Sequence, residues 1–351
     1  MRTLVATTLF VYLASGVFAQ QPPRTQETDT PERITFINQH VHRVESLRNA
    51  GDYQAAECAL REWLASETAG TRTYTMIQDA LGDLLREEGR NAEARELFNE
   101  VLRSPAATAE YRITALLGLA DVDLHLGDFR TSIEEWNSAL DLARTEQYAV
   151  LQADALRGLG ASWLQSGSPA RAEPLLRRSV KMLEDDNSAP LELAASLSAL
   201  ANLYQAEHKP SLAEAEWSRA LEIDRKVLGD NHPQTAFLME MLGEVYSERG
   251  ESSLAIDYSS RAADAMRQWF GESSPVTASA LANLAQVEER AHTLSAAAKH
   301  YEAAVRVLRH YEGVGPRLKK LIQQYADLLK SMHRDQEAKA LDNEAKAFRS
   351  N

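Results

Sequence analysis

Residues 194–221 read AASLSALANLYQAEHKPSLAEAEWSRAL. Ala194, Leu197, Leu200, Ala201 and Tyr204 recur at spacings of three and four, which puts them on one face of a helix. His208-Lys209-Pro210 interrupts that helix, because proline has no N–H to continue it and clashes with the preceding turn. Ala213, Ala215, Trp217, Ala220 and Leu221 then mark a second helix folding back on the first. Two helices packed this closely need small side chains at their nearest approach, with a large one such as Trp217 filling the gap beside them. The stretch is a helical hairpin.

The same pattern recurs along the chain every 38 to 42 residues, with the small position at Val44, Gly82, Ala120, Gly160, Ala201, Gly243, Ala285 and Ala326. A Gly or His follows seven positions later and an Ala five beyond that. A fixed period of this length marks a solenoid, in which each unit buries its apolar face only by stacking on its neighbours. Most hairpins break at Gly: Gly51-Asp52, Gly89-Arg90, Gly127-Asp128, Gly167-Ser168 and Gly250-Glu251. Glycine accepts the left-handed conformation that ends a helix, and a following Asp or Ser is expected to cap the next one. Gly82, Gly160, Ala201, Gly243, Ala255 and Ala297 are expected at close helix approaches, with Trp136, Trp217 and Tyr301 filling the space around them.

On these residues the chain resembles a tetratricopeptide-repeat protein over residues 32–349. Repeats of that family are typically about 34 residues long, so the longer period implies an extra turn of helix per unit. In the fifth to seventh repeats it is similar to the kinesin-light-chain-like subgroup: VLGDNHP at 227–233 aligns with WFGESSP at 269–275, 42 residues later. The resemblance implies an all-α, right-handed solenoid of about eight hairpins. Its ends depart from the pattern. Val44 occupies the first small position, Asp123 stands where the third unit should be apolar or aromatic, and residues 336–349 form a polar closing helix with Leu341 and Phe348 as its large apolar groups. A solenoid end needs such a polar outer face.

Residues 1–19 read differently, with Arg2 ahead of an apolar run and Val17-Phe18-Ala19 offering a cleavage site. This pattern predicts a secretory signal peptide, since the run falls short of the roughly 20 residues that span a bilayer. Residues 20–31, rich in Pro, Gln, Thr and acids, predict a flexible leader. The expected location is therefore exported, periplasmic or secreted. Losing residues 1–19 removes Arg2 and no acid, which takes the formal charge from −13 to −14. Such a chain is repelled by nucleic acid and by anionic membranes. The one cysteine, Cys58, cannot form an internal disulfide. Its neighbours Ala55, Ala56 and Ala59 predict a packed helix in which the thiol behaves as a small hydrophobe.

No catalytic chemistry emerges. His40 and His42 are two apart and so lie on different helix faces. His125, His208, His292 and His333 fall at or near hairpin breaks and His232 precedes Pro233, all places for capping or exposed histidines. There is no zinc signature, no phosphate loop and no nucleophile elbow. The adjacent acids Glu134-Glu135 and Asp185-Asp186 read as solvated surface, not as a dyad with two distinct environments. The expectation is a non-enzyme with no cofactor and no metal.

What remains is the surface lined by the first helix of each hairpin. The resemblance implies that two repeat positions face it. One residue after the small position come Glu45, Asp83, Asp121, Ala161, Asn202, Glu244, Gln286 and Asp327. Three before it come Val41, Asp79, Leu117, Arg157, Ser198, Glu240, Ala282 and Gln323. These sixteen sites hold seven acids and one base. Asn202 matches a position where the family often contacts a bound peptide backbone. Phe237, one turn from Glu240, serves either as an apolar anchor in the groove or as core. The expected function is a protein- or peptide-binding adaptor whose acidic groove selects a basic or neutral segment by charge complementarity. The alternative is a structural subunit of an envelope complex, assembled through the convex face or the ends.

Overall fold

Among the described residues, the sequence's hairpin breaks at Gly89, Gly127, Gly167 and Gly250 each fall between two consecutive helices. The computed structural model describes residues 30–49, 52–311 and 315–348. The signal-peptide stretch 1–19, the leader up to residue 29 and Gly51 lie outside the described residues. The chain divides into two compact units, Met1–Ile223 and Asp224–Asn351.

The first unit holds α1 (Pro31–Asn49), α2 (Tyr53–Ser66), α3 (Arg72–Glu87), α4 (Asn91–Arg103), α5 (Ala109–Leu126), α6 (Phe129–Thr145), α7 (Ala149–Gln165), α8 (Pro169–Asp186) and α9 (Pro190–Ala206). It also holds most of α10 (Pro210–Val227), which crosses the division. From α1 to α9 each helix packs on the next, and α3, α5, α7 and α9 also touch one another in turn, forming an inner layer. The first helix begins at Pro31, one residue into the expected leader.

Local chemistry sets the turns. Gly89, Gly127 and Gly167 take positive φ, and His208 takes the same conformation at φ 58° where the fifth hairpin lacks a glycine. Asp52 and Asp128 cap α2 and α6, accepting hydrogen bonds from Ala55 N and Thr131 N at 3.0 and 3.2 Å. Ser168 makes no such bond, contrary to the expectation. Its helix starts with Pro169 in the first turn instead, where a missing N–H costs nothing.

The small positions do what their period implies. A Cβ on Gly82 would lie 2.8 Å from the Phe98 ring and one on Gly160 would lie 2.5 Å from Leu176, while one on Gly158 would enter the Trp136 indole. Phe98, Trp136 and Leu176 are all buried, each stabilising the core by about 1.5–3 kcal/mol. The third hairpin replaces the recurring second-helix Ala with Ser132. Its hydroxyl donates to Ala120 O at 2.8 Å and lies 3.0 Å from Ser162 Oγ on α7. A second buried hydroxyl pair, Ser179 and Ser196 at 2.8 Å, joins α8 to α9. Cys58 departs from the expectation: it is exposed. Ala215 is exposed as well, although Ala213, Trp217 and Ala220 around it are buried.

The second unit continues with α11 (Pro233–Glu248), α12 (Ser252–Phe270), α13 (Pro275–Arg290), α14 (Leu294–Leu308), α15 (Gly315–Ser331) and α16 (Asp335–Ala347). Consecutive helices pack, and α11 also touches α13. The two turns aligned by sequence start their helices alike. His232 Nδ1 accepts from Gln234 N at 3.2 Å, Ser274 Oγ accepts from Val276 N at 3.1 Å, and Pro233 and Pro275 follow in the first turn. His292 and His333 both take φ 59° at their breaks. The last helix buries Ala338, Leu341 and Ala345, while its Asp342 and Glu344 pair with Lys330 at 3.1 Å and Arg309 at 2.6 Å. No strand forms among the described residues, and none of their helices is long and apolar enough to cross a membrane.

Candidate functional site

The inner layer of the first unit carries a chain of polar contacts. On α3, Asp79 is 1 % exposed and accepts a hydrogen bond from Thr114 on α5 at 2.7 Å. Burial and the neighbouring Asp83 push its carboxyl well above the usual range. Two turns on, Arg86 reaches Asp83 at 3.1 Å and Asp121 on α5 at 2.7 Å. Burial works against the Arg86 charge, but Asp121 and Asp83 hold the guanidinium more firmly protonated than usual. Farther along, Arg157 pairs with Asp154 on α7 at 3.2 Å, and burial raises the carboxyls of Asp154 and of Glu192 on α9. Arginine can hold two carboxylates at once through its planar fork. Arg86 does so here and ties α3 to α5, whereas Arg157 pairs within α7.

In the second unit the acids are answered differently. Glu240 and Glu244 sit on successive turns of α11. The carboxyl of Glu240 accepts a hydrogen bond from the neutral amide of Asn283 on α13. Burial, with Glu244 beside it, pushes Glu240 up to about 8. Burial also raises Glu244, an effect that Arg290 partly counters. A carboxyl poised near neutrality takes or gives up a proton at little cost, so its charge responds to whatever approaches. On α15, Asp327 is exposed and pairs with Lys330 at 2.9 Å, while Gln323 reaches both Asp327 and Asp342.

Family profiles described as tetratricopeptide repeat match residues 117–190 and 192–268, spanning the third to sixth hairpins almost without a gap. This is a tetratricopeptide-repeat chain. No curated protein sequence matches it. Among solved structures it is similar to BtubC (BKLC) from P. vanneervenii, at 20 % identity over 63 % of this chain and 90 % of that one, with a TM-score of 0.58. It is also similar to the kinesin light chain tetratricopeptide-like repeats of Podosopora anserina, at 18 % identity over 55 % and 92 %, with a TM-score of 0.51. A Rap protein complexed with competence and sporulation factor matches 91 % of this chain and 87 % of its own at 12 % identity, with a TM-score of 0.58. These likenesses agree on the fold, including repeats like those of kinesin light chains.

Within this tetratricopeptide array the predicted groove residues separate into four groups. Asp79, Asp83, Asp121 and Arg157 are engaged with partners on the inner layer. Glu240, Glu244, Asn202 and Gln286 are half-buried; Gln286 donates back to Ala282 O at 3.4 Å. Glu45 and Asp327 lie toward the ends, where Glu45 is 3.5 Å from His42. Phe237 is 4 % exposed and takes the core alternative, so it offers no anchor.

Arg86, Thr114, Asp154 and Asn283 escaped the sequence reading, because they lie at repeat positions other than the two sampled. Arg86 had a signal: it follows Asp83 by three, a spacing at which opposite charges meet on a helix. Glu135 also needs correction, since it is not solvated surface. It is half-buried beside Asp123. Among the described residues no group of three or more His, Cys, Asp or Glu could hold a metal ion.

Proposed function

We propose that this chain is an exported adaptor that holds an extended, cationic protein or peptide segment against the inner face of α11 and α13. The observation that carries this reading is the pair Glu240 and Glu244, two carboxyls one turn apart whose charge is not locked by an arginine fork as it is at Asp83 and Asp121. A lysine or arginine side chain arriving there would ionise Glu240, so capture would release a proton near neutral pH. Charge complementarity of this kind selects partners and speeds encounter. The similar Rap protein is itself seen in complex with another molecule, which supports binding as the use of such an array.

Calorimetric titration with extended Lys- and Arg-containing peptides, in buffers of different ionisation enthalpy, tests this. The expected result is proton release at pH 7 and at least tenfold weaker binding by Glu240→Gln/Glu244→Gln with unchanged helical circular dichroism. Equal affinity of wild type and double variant would overturn the assignment. Export rests on residues 1–19; a mature N-terminus at Gln20 is expected in the secreted protein, and an intact Met1 would contradict processing.

A further inference from the structure

Asp123 occupies a position where the repeat pattern calls for an apolar or aromatic side chain, and other hairpins obey that pattern with Tyr204 and Tyr246. The seventh hairpin has Glu288 there, buried and 2.7 Å from His300 Nδ1 on the following helix. Asp123 is met instead by a second acid. Its side chain is 2 % exposed, and Arg95 on α4 donates to its Oδ1. Its Oδ2 and the Oε2 of Glu135 on α6 are both buried without a hydrogen-bond partner, and the two carboxyls lie within hydrogen-bonding reach of each other.

We propose that Asp123 and Glu135 share one proton, and that this proton closes the contact between α4, α5 and α6. Ionised carboxylates only accept hydrogen bonds, so two of them can meet favourably only when one carries a hydrogen. Arg95 bonds Asp123 Oδ1 and makes no ion pair with Glu135, so a second buried negative charge here would lack a partner, which is strongly unfavourable. The surroundings act in the same sense. Burial and Asp123 push Glu135 up to about 8, Asp128 at the start of α6 adds a like charge, and Arg95 alone opposes them. The charged groups of the other helices packed on α5 are occupied elsewhere: Asp83 and Arg86 of α3 bind each other and Asp121, and Asp154 of α7 pairs with Arg157.

The sign follows from linkage. The closed hairpin holds a proton on Glu135 up to about pH 8, whereas an opened one loses it near the ordinary value of 4.5. The closed form is therefore favoured at low pH and loses that advantage as pH rises toward 8. Raising the pH loosens the third hairpin and its Arg95 contact with α4.

Hydrogen exchange of the α5 and α6 amides in the full chain, corrected for intrinsic rates between pH 6 and 9, reads this opening. Relative to Glu135→Gln, the wild-type opening constant should rise by about tenfold per pH unit up to about pH 8 and then level. Asp123→Asn should reduce the rise, leaving the part that burial of Glu135 alone produces, which keeps the test decisive if one variant folds poorly. An infrared difference spectrum of wild type minus Glu135→Gln at pH 7 should show the carbonyl stretch of a protonated carboxyl. The same pH dependence in wild type and both variants, or a difference spectrum without that band, would overturn the shared proton.

Discussion

Arg86 Nη1 lies 2.7 Å from Asp121 Oδ2 and ties α3 to α5. The same guanidinium holds Asp83, so its loss strands two buried acids at once. Arg86→Ala should destabilise the first unit by about 3–5 kcal/mol, read as a lower urea midpoint. Adding Asp83→Asn and Asp121→Asn should recover most of that loss. A single variant as stable as wild type would mean the ion pairs do not bind the inner layer.

Gly158 faces the Trp136 indole with no room for a methyl group. Gly158→Ala should cost about 1–3 kcal/mol through overpacking, measured by thermal melting. Combining it with Trp136→Phe should give less than the sum of the two separate losses, because each relieves the other.

Three histidines sit where other hairpins use glycine. His208, His292 and His333 take φ of 58°, 59° and 59°, a left-handed conformation that strains a residue with a Cβ by about 1 kcal/mol. Replacing each by Gly should raise stability by about 0.5 kcal/mol or more, after glycine's greater entropy loss is subtracted. Unchanged or lower melting temperatures would show that these side chains contribute something the turn needs.

His232 caps α11 by accepting a hydrogen bond at Nδ1, which requires the neutral ring. Burial lowers its pKa from the usual 6.5. The unfolded chain therefore takes up a proton first as pH falls below about 6.5, and stability drops in that direction. Between pH 7.5 and 5.5 the wild type should lose more stability than His232→Asn, whose side chain can still cap. Parallel urea titrations at the two pH values compare them.

Cys58 is exposed on α2. It should react with a thiol reagent in the native protein, without denaturant and at a rate close to that of the unfolded chain. Protection until unfolding would place it back in a packed interface.

The hairpins were legible because small residues, breaks and second-helix alanines share one period, and Gly158, Gly160 and Gly82 show the close approaches that such a period implies. Individual side chains were harder. The alanine neighbours of Cys58 suggest a packed thiol, yet on a helix a residue two positions from Ala56 faces the other way, and of those neighbours only Ala56 and Ala59 are buried. The two groove-facing repeat positions show the acids of the inner layer but not Arg86, which lies at another repeat position. Asp123 stood out as a misfit in the sequence, but its partner Glu135 comes from the next helix, and no spacing within one helix reveals a contact across two.

The buried hydroxyl pairs Ser132–Ser162 and Ser179–Ser196 bear on how this array can change over generations. Repeat proteins lengthen and shorten by copying or losing whole units, which is harmless while every junction is apolar and alike. Here, excising the third or the fourth hairpin would set Ser162 or Ser196 against a neighbour with no hydroxyl to offer, at about 1–3 kcal/mol for the group left unpaired. The third, fourth and fifth hairpins are consequently keyed to one another. Their order is inherited as a block, while the junctions without such pairs stay open to insertion and loss.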